Sequence, residues 1–274
     1  MASLSDWIGK REHKIDRVST LLVRRMAATL GVAAPQAGDA LPHLWHWMFF
    51  QPELLAADLG RDGHPALGGF MPPADGRNRM WAGGSFEFAQ PLRVGEAAEC
   101  VSTIENVVEK QGSTGSLVFV TVRHDYAQAG VHCFTERQNV VYRAPSAPKP
   151  HSAAAPAAEW HQPVQPDATL LFRYSALTFN GHRIHYDYPY ATEVEGYAGL
   201  VVHGPMMATW ALHGFMAAHP DKRVLAYEYR GVRPTTLPQA VEIGGRLQSG
   251  SEAEVWIANG DGLIQQGKVV FESV

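Results

Sequence analysis

Asn180 and His185 flank a short turn in the segment Ala176-Leu-Thr-Phe-Asn-Gly-His-Arg-Ile-His-Tyr-Asp187, and His203-Gly204-Pro205 opens the long apolar run that follows. Imidazole exchanges protons near neutral pH, so His185 is the candidate acid/base. A carboxamide donates and accepts but removes no proton, so Asn180 can hold a water molecule or a carbonyl in place and do no more. A glycine at a helix start offers a backbone N–H to developing negative charge, and Pro205 suits the first turn of such a helix. Asn180-Gly181 is expected to pass through positive φ and turn both polar side chains toward one point. A proton-handling group beside an anion-stabilising helix start is what acyl-thioester chemistry needs.

Each of these residues has a plainer use. Asn180-Gly181 can be only a tight turn, and Gly204 only a close helix entry. Asp187 can orient His185 or cap the segment after it, and the spacing leaves both open. Arg77, Arg79 and Arg183 are the candidates for gripping a free carboxylate through a bidentate fork, against the ordinary use of arginine on exposed surface. His182, His185 and His203 could be drawn as three metal ligands. With no HExxH helix and no carboxylate at a metal-site spacing, no metal is expected. GxSxG and phosphate-binding glycine loops are also absent, which leaves serine hydrolysis and nucleotide binding without support.

The elements that must position these groups follow from hydrophobic period and turn signals. Strands are predicted at residues 85–93, 98–109, 116–126 and 131–143, with turns at 111–115 and 127–130. Residues 41–60 predict a helix broken near Pro52, its Trp45, Trp47, Phe49 and Phe50 forming a core stripe or an acyl tunnel. Six of the chain's 18 prolines fall in residues 144–166, which show neither period and are expected to be a linker. A strand at 169–178 and a helix at 203–218 come next. Strands follow at 224–232 and 240–250, then a hairpin of 254–258 and 263–271 across Asn259-Gly-Asp-Gly262. Each half would be an antiparallel sheet wrapped around one long helix, an α+β double hotdog. The expected divisions are 1–143, the linker 144–166, and 167–274.

In 274 residues, 23 basic and 27 acidic side chains give a net charge of −4, with no Lys/Arg cluster of the kind nucleic acid requires. Cys100 and Cys133 are expected to be buried thiols, since no CxxC pairing is present. The first residues carry charges and no apolar h-region, and the run 199–218 is interrupted by His203, Pro205 and His213. A cytoplasmic chain with no membrane partner is the expectation.

Asn180, then His185-Tyr-Asp187-Tyr-Pro-Tyr-Ala191, then His203-Gly204 resembles the signature of MaoC-like (R)-specific enoyl-CoA hydratases, with Asn where the wider superfamily carries Asp. With Ser5-Asp-Trp-Ile-Gly9 and Arg79-Met-Trp-Ala-Gly-Gly84, the whole chain is similar to the double-hotdog branch that hydrates branched dicarboxylic thioesters such as itaconyl-CoA and 3-methylfumaryl-CoA (mesaconyl-CoA), giving citramalyl-CoA. The resemblance implies a cofactor-independent hydro-lyase acting on an acyl-CoA thioester. His185, Asn180 and Gly204 would be catalytic, with Arg77, Arg79, Arg183, His203 and Asp187 on the substrate side. It also implies an N-terminal half that only shapes the pocket, and a dimer is expected from the need to cover sheet edges. The alternatives are a hydratase or dehydratase of linear chains, a hotdog thioesterase, and a non-catalytic acyl-CoA-binding module.

Overall fold

Runs of alternating apolar and polar residues bounded by Gly, Asn and Asp turns produce ten antiparallel strands in this computed structural model, which describes residues 4–73, 77–112, 115–144 and 151–274. The strands are β1 (Arg11–Arg17), β2 (Asn78–Phe88), β3 (Ala97–Gly112), β4 (Gly115–Gln128), β5 (Val131–Arg143), β6 (Trp160–Val164), β7 (Lys222–Gly231), β8 (Val241–Leu247), β9 (Glu252–Asn259) and β10 (Gly262–Ser273). They form one sheet in the order β1-β3-β4-β5-β2-β7-β10-β9-β8-β6. Each half contributes a contiguous block of five strands, and β2 pairs with β7 across the seam, Ser85 opposite Glu228. Phe86 and Tyr227 stack over this junction, and Trp81 Nε1 donates to the Tyr229 hydroxyl at 2.7 Å.

The α-helices are α1 (Thr20–Leu30) and α2 (Ala168–Leu177), which pack on each other, and α3 (Gly204–Ala218). The last is the expected central helix, apolar on nearly all sides and packed on β7 to β10. One core cluster joins Val23 and Met26 of α1, Phe86 and Phe134 of the N-terminal strands, Leu171 of α2, and Met206 and Phe215 of α3.

Two of the expected elements differ. Residues 169–178 form helix α2, not a strand. The Asp167 side chain accepts from Leu170 N at 2.7 Å and caps the helix, and Leu171, Tyr174 and Ser175 share its buried face. Residues 41–60 hold short 3-10 turns at Trp45–Met48 and Ala56–Asp58 rather than a long helix, and the N-terminal half's helix is α1. His46 and Trp47 are drawn instead to Glu136 on β5, a fully buried carboxylate that accepts from His46 Nε2 (3.0 Å), Trp47 Nε1 (2.9 Å), Tyr126 (3.0 Å) and Gln138 (2.8 Å).

Within the proline-rich span, residues 160–164 form β6, where Pro163 is tolerated because the strand lies at the sheet edge. Residues 145–150 of that span, and 113–114 of the turn expected at 111–115, lie outside the described residues. Cys100 and Cys133 are free and buried, and burial pushes the Cys100 thiol up to about 11. Among the described residues no helix is long and apolar enough to cross a membrane.

Candidate active site

Helix α2 ends in a left-handed residue, Phe179 (φ 49°), so the positive φ of this turn falls there and not on Asn180 or Gly181. Asn180 N then donates to Ser175 O at 2.8 Å, and Asn180 Oδ1 accepts from His182 N at 3.0 Å. This local turn directs the chain into a single 3-10 turn, Arg183–His185. The Asn180 amide NH₂ and a second lone pair of Oδ1 remain for a ligand. Val201 N donates to Ile184 O at 2.9 Å, fastening the His185 turn to the strand-like segment that leads into α3.

His185 is buried at 6% exposure, and its Nδ1 lies 2.8 Å from Val201 O. A carbonyl only accepts, so Nδ1 carries the proton and Nε2 presents a lone pair. Burial holds the ring's pKa down at about 4, leaving it a neutral base at neutral pH. The ring stacks on His203 with centroids 3.6 Å apart and planes 17° from parallel. His203 is fully buried, its Nε2 2.8 Å from Ser175 Oγ, and it stands behind His185 outside the cavity wall. The helical form of α2 is what puts Ser175 within reach.

Gly204 begins α3, and as the first residue its N–H has no acceptor inside the helix. A Cβ at this position would meet no atom within 4 Å, so the protein's own packing does not require glycine here. The open space belongs to a cavity of about 1610 Å³ between the halves, lined among others by Asn180, His185, Gly204, Arg79, Trp47 and His124. Phe49 and Phe50 also line it, whereas Trp45 is buried in the core away from it.

The three arginines separate. Arg79, on β2, lines the cavity and makes no hydrogen bond or ion pair among the described residues. Arg77 lies outside the cavity and pairs with Glu109 at 3.0 Å and Ser116 at 3.1 Å. Arg183 is also outside, its guanidinium 2.7 Å from Asp187, 3.0 Å from Arg61 O and 4.1 Å above the Tyr190 ring. Asp187 faces away from His185, caps Tyr190 N at 3.1 Å and is held below the usual carboxylate range by its hydrogen bonds to Arg183. It acts as the cap and as the partner of Arg183.

Asp62 and His64, in the loop Gly60-Arg-Asp-Gly-His64 of the N-terminal half, lie in no motif that points to a site. Arg183 N donates to Asp62 O at 2.9 Å, and Gly63 and Gly181 touch with no room for a side chain on either. His64 lines the cavity, and its ring centroid lies 4.2 Å from that of His182, which is 5.4 Å from that of His185. The donor atoms of Asp62, His64 and His182 fall within 4.8 Å of one another, a spacing a metal could use. Both Asp62 oxygens, however, accept from His64, Oδ1 from its amide at 3.1 Å and Oδ2 from Nδ1 at 3.0 Å. That is the geometry of a carboxylate–imidazole dyad. The only advance signal was Asp-Gly-His in a glycine-rich loop, and the sequence does not say which turn the loop meets.

A base with a free Nε2, a carboxamide with its NH₂ unused and a helix-start N–H around one cavity suit addition of water to an activated double bond. The family model for hydroxyacyl-thioester dehydratase type 2 (Htd2) matches residues 44–237. The chain belongs to this family. This hydroxyacyl-thioester dehydratase family member is 42% identical over 234 residues, 83% of each chain, to mesaconyl-C(4)-CoA hydratase of Chloroflexus aurantiacus. Its fold matches a MaoC-like dehydratase with a TM-score of 0.77 at 14% identity, covering 99% of this chain and 100% of the other. It also matches a Mycobacterium tuberculosis protein described as a double hotdog, with a TM-score of 0.58 at 14% identity and 96% of each chain covered. The fold is therefore the double hotdog, and the enzyme is a hydro-lyase of the enoyl-CoA hydratase type.

Proposed function

We propose that this hydro-lyase adds water reversibly to a short, branched dicarboxylic enoyl-CoA, across the α,β double bond of 3-methylfumaryl-CoA (mesaconyl-CoA) or the β,γ double bond of its isomer itaconyl-CoA, to give citramalyl-CoA; the steps below are those of the α,β substrate. The observation that carries the proposal is Arg79, an unpaired guanidinium in the wall of the cavity that also holds His185 and Gly204. A guanidinium in a cavity wall with no hydrogen-bonded anion of its own is a ready partner for a carboxylate, and a second carboxylate on the acyl chain is such an anion. The similarity to mesaconyl-C(4)-CoA hydratase supports the same class of substrate.

In this mechanism His185 Nε2 removes a proton from water that Asn180 holds, and the hydroxide oxygen bonds to the β-carbon. The double-bond electrons move toward the thioester, whose oxygen takes on enolate character against the Gly204 N–H. A single donor of this kind contributes about 10²–10³ in rate. The α-carbon then receives a proton, and the thioester carbonyl re-forms.

The test is incubation of the purified protein with mesaconyl-CoA, itaconyl-CoA and crotonyl-CoA, following enoyl-thioester absorbance, product mass and free thiol, with His185→Ala alongside. Gain of one water on the dicarboxylic thioesters only, lost in the variant, is the expected result. Turnover of crotonyl-CoA alone would assign the enzyme to linear chains. Release of free CoA thiol without hydration would make it a thioesterase.

A further inference from the structure

Hydration needs two proton transfers, one from water and one to the α-carbon, and Asn180 can perform neither. The Asp62–His64 dyad brings a second imidazole to the same cavity from the other half of the chain. With Nδ1–H donated to Asp62, the His64 Nε2 is the nitrogen left for a ligand. The dyad's loop is fixed to the active-site turn through Arg183 N on Asp62 O and Arg183 Nη1 on Arg61 O, at 2.9 and 3.0 Å. Four imidazoles thus stand in a row, His64, His182, His185 and His203. Among the described residues His64 alone of the four is paired with a carboxylate; His185 leans on the Val201 carbonyl and His203 on the Ser175 hydroxyl. A positive charge on this row is therefore best held at His64.

We propose that His64, oriented by Asp62, is a second catalytic residue: the acid that protonates the α-carbon while His185 takes the proton from water. This rests on the hydration reading above. The water oxygen bonds to the β-carbon as its proton passes to His185 Nε2. The double-bond electron pair moves toward the thioester and then forms the new α-carbon–hydrogen bond with the proton of the His64 imidazolium, leaving that ring neutral. The cycle closes when the His185 imidazolium returns its proton to His64, and His182 lies between the two rings to pass it. The net change is the addition of one water.

The groups facing His64 are Asp62 in its own loop, His182 and His185 from the active-site turn and Arg79 from β2, with Tyr142 of β5 next to Arg79. Burial and then Arg79 lower the His64 pKa, against Asp62, which raises it. A substrate carboxylate seated on Arg79 cancels that cation's opposition. Protonation of the acid is thereby tied to arrival of a dicarboxylic acyl chain.

The experiment uses full-length His64→Gln, His64→Ala and Asp62→Asn enzymes with mesaconyl-CoA, beside His185→Ala. In His64→Gln, kcat is expected to fall by about 10²–10⁴ with KM changed by less than about threefold, the range for loss of one acid/base group. Asp62→Asn should lose less. The alkaline limb of the wild-type kcat profile, from deprotonation of His64, should vanish in His64→Gln, and free imidazole should restore part of the rate in His64→Ala. Three results overturn the proposal: His64→Gln within about threefold of wild type, a loss with the alkaline limb intact, or a loss in His64→Ala without imidazole rescue. If His185→Ala is inactive while His64→Gln is not, the dyad proposal fails and the hydration reading stands. If the wild type hydrates no dicarboxylic thioester, both fail.

Discussion

Gly63 and Gly181 meet back to back across the two halves: a Cβ on Gly63 would overlap the Gly181 carbonyl, and one on Gly181 would lie 2.6 Å from the Gly63 carbonyl oxygen. Gly63 also sits at φ +86°, a region that costs an alanine about 1–3 kcal/mol before any clash. Gly63→Ala must therefore push the His64 loop off the His185 turn. We expect a lower melting temperature in calorimetry and a kcat reduced by more than about tenfold. An alanine enzyme with wild-type kcat would show that the contact does not align the site.

Gly204 is the opposite case. Its φ is not left-handed and a Cβ there meets nothing, so Gly204→Ala should fold with unchanged or slightly raised stability, by up to about 1 kcal/mol. The methyl would stand in the cavity beside the N–H proposed to receive the enolate oxygen. Loss of about 10²-fold in kcat with an unchanged thermal melt is the predicted pairing. Normal catalysis in this variant would remove Gly204 from the mechanism.

The three arginines can be told apart by kinetics and melting. Arg79→Gln should raise KM for mesaconyl-CoA by about 10–100-fold, the worth of a charge-assisted hydrogen bond, and leave any crotonyl-CoA turnover unchanged. Arg77→Gln removes a partly exposed pair with Glu109 and should alter neither quantity measurably. Arg183→Gln loses the Asp187 pair, the Arg61 carbonyl and the Tyr190 face together, and we expect about 1–2 kcal/mol of destabilisation in denaturant melts.

Stability should fall with acid in two separate windows. His43 and His185 are each held at about 4 in the folded protein by burial, against 6.5 when free. The unfolded chain then binds more protons between those values, so stability is full above pH 6.5 and declines as pH falls toward 4, by about 1.4 kcal/mol per pH unit for each ring. Glu136 acts in the more acidic window. Burial opposes its charge, but its hydrogen bonds to His46 and Trp47 and the nearby histidines win and lower its pKa to about 2, so its contribution is lost only below the ordinary carboxylate value. Chemical denaturation at pH 7, 5 and 3.5 tests this. His43→Gln should flatten the 7-to-5 step, and a first loss only below pH 4.5 would contradict the histidine assignment.

What the sequence made legible was whatever is local. The strand alternation, the Asn259-Gly-Asp-Gly262 hairpin and the run after Pro205 reappear as β2 to β5, β7 to β10 and α3, because period and turn chemistry act within a few residues. Asn180, His185 and Gly204 line one cavity. Residues 168–177 misled because Leu, Phe and Tyr suit a strand as well as a helix, and the deciding fact is the Asp167 cap. Residues 41–60 misled because Trp45, His46, Trp47 and Met48 are all buried, so no period survives to reveal a turn tied to Glu136. His64 stayed hidden for a different reason. Its significance lies in a contact with a distant turn, and one sequence carries no record of such contacts.

The Arg183 to Arg61 hydrogen bond spans 122 residues of chain. Closing a loop of that length costs entropy that local strand pairing does not, and that cost slows formation of the contact. During refolding from denaturant, strand circular dichroism and core tryptophan burial should therefore return before hydratase turnover does. Catalytic competence in this protein reports that the two loops have docked across the halves, and an enzyme with intact spectra and no activity would be one in which they have not.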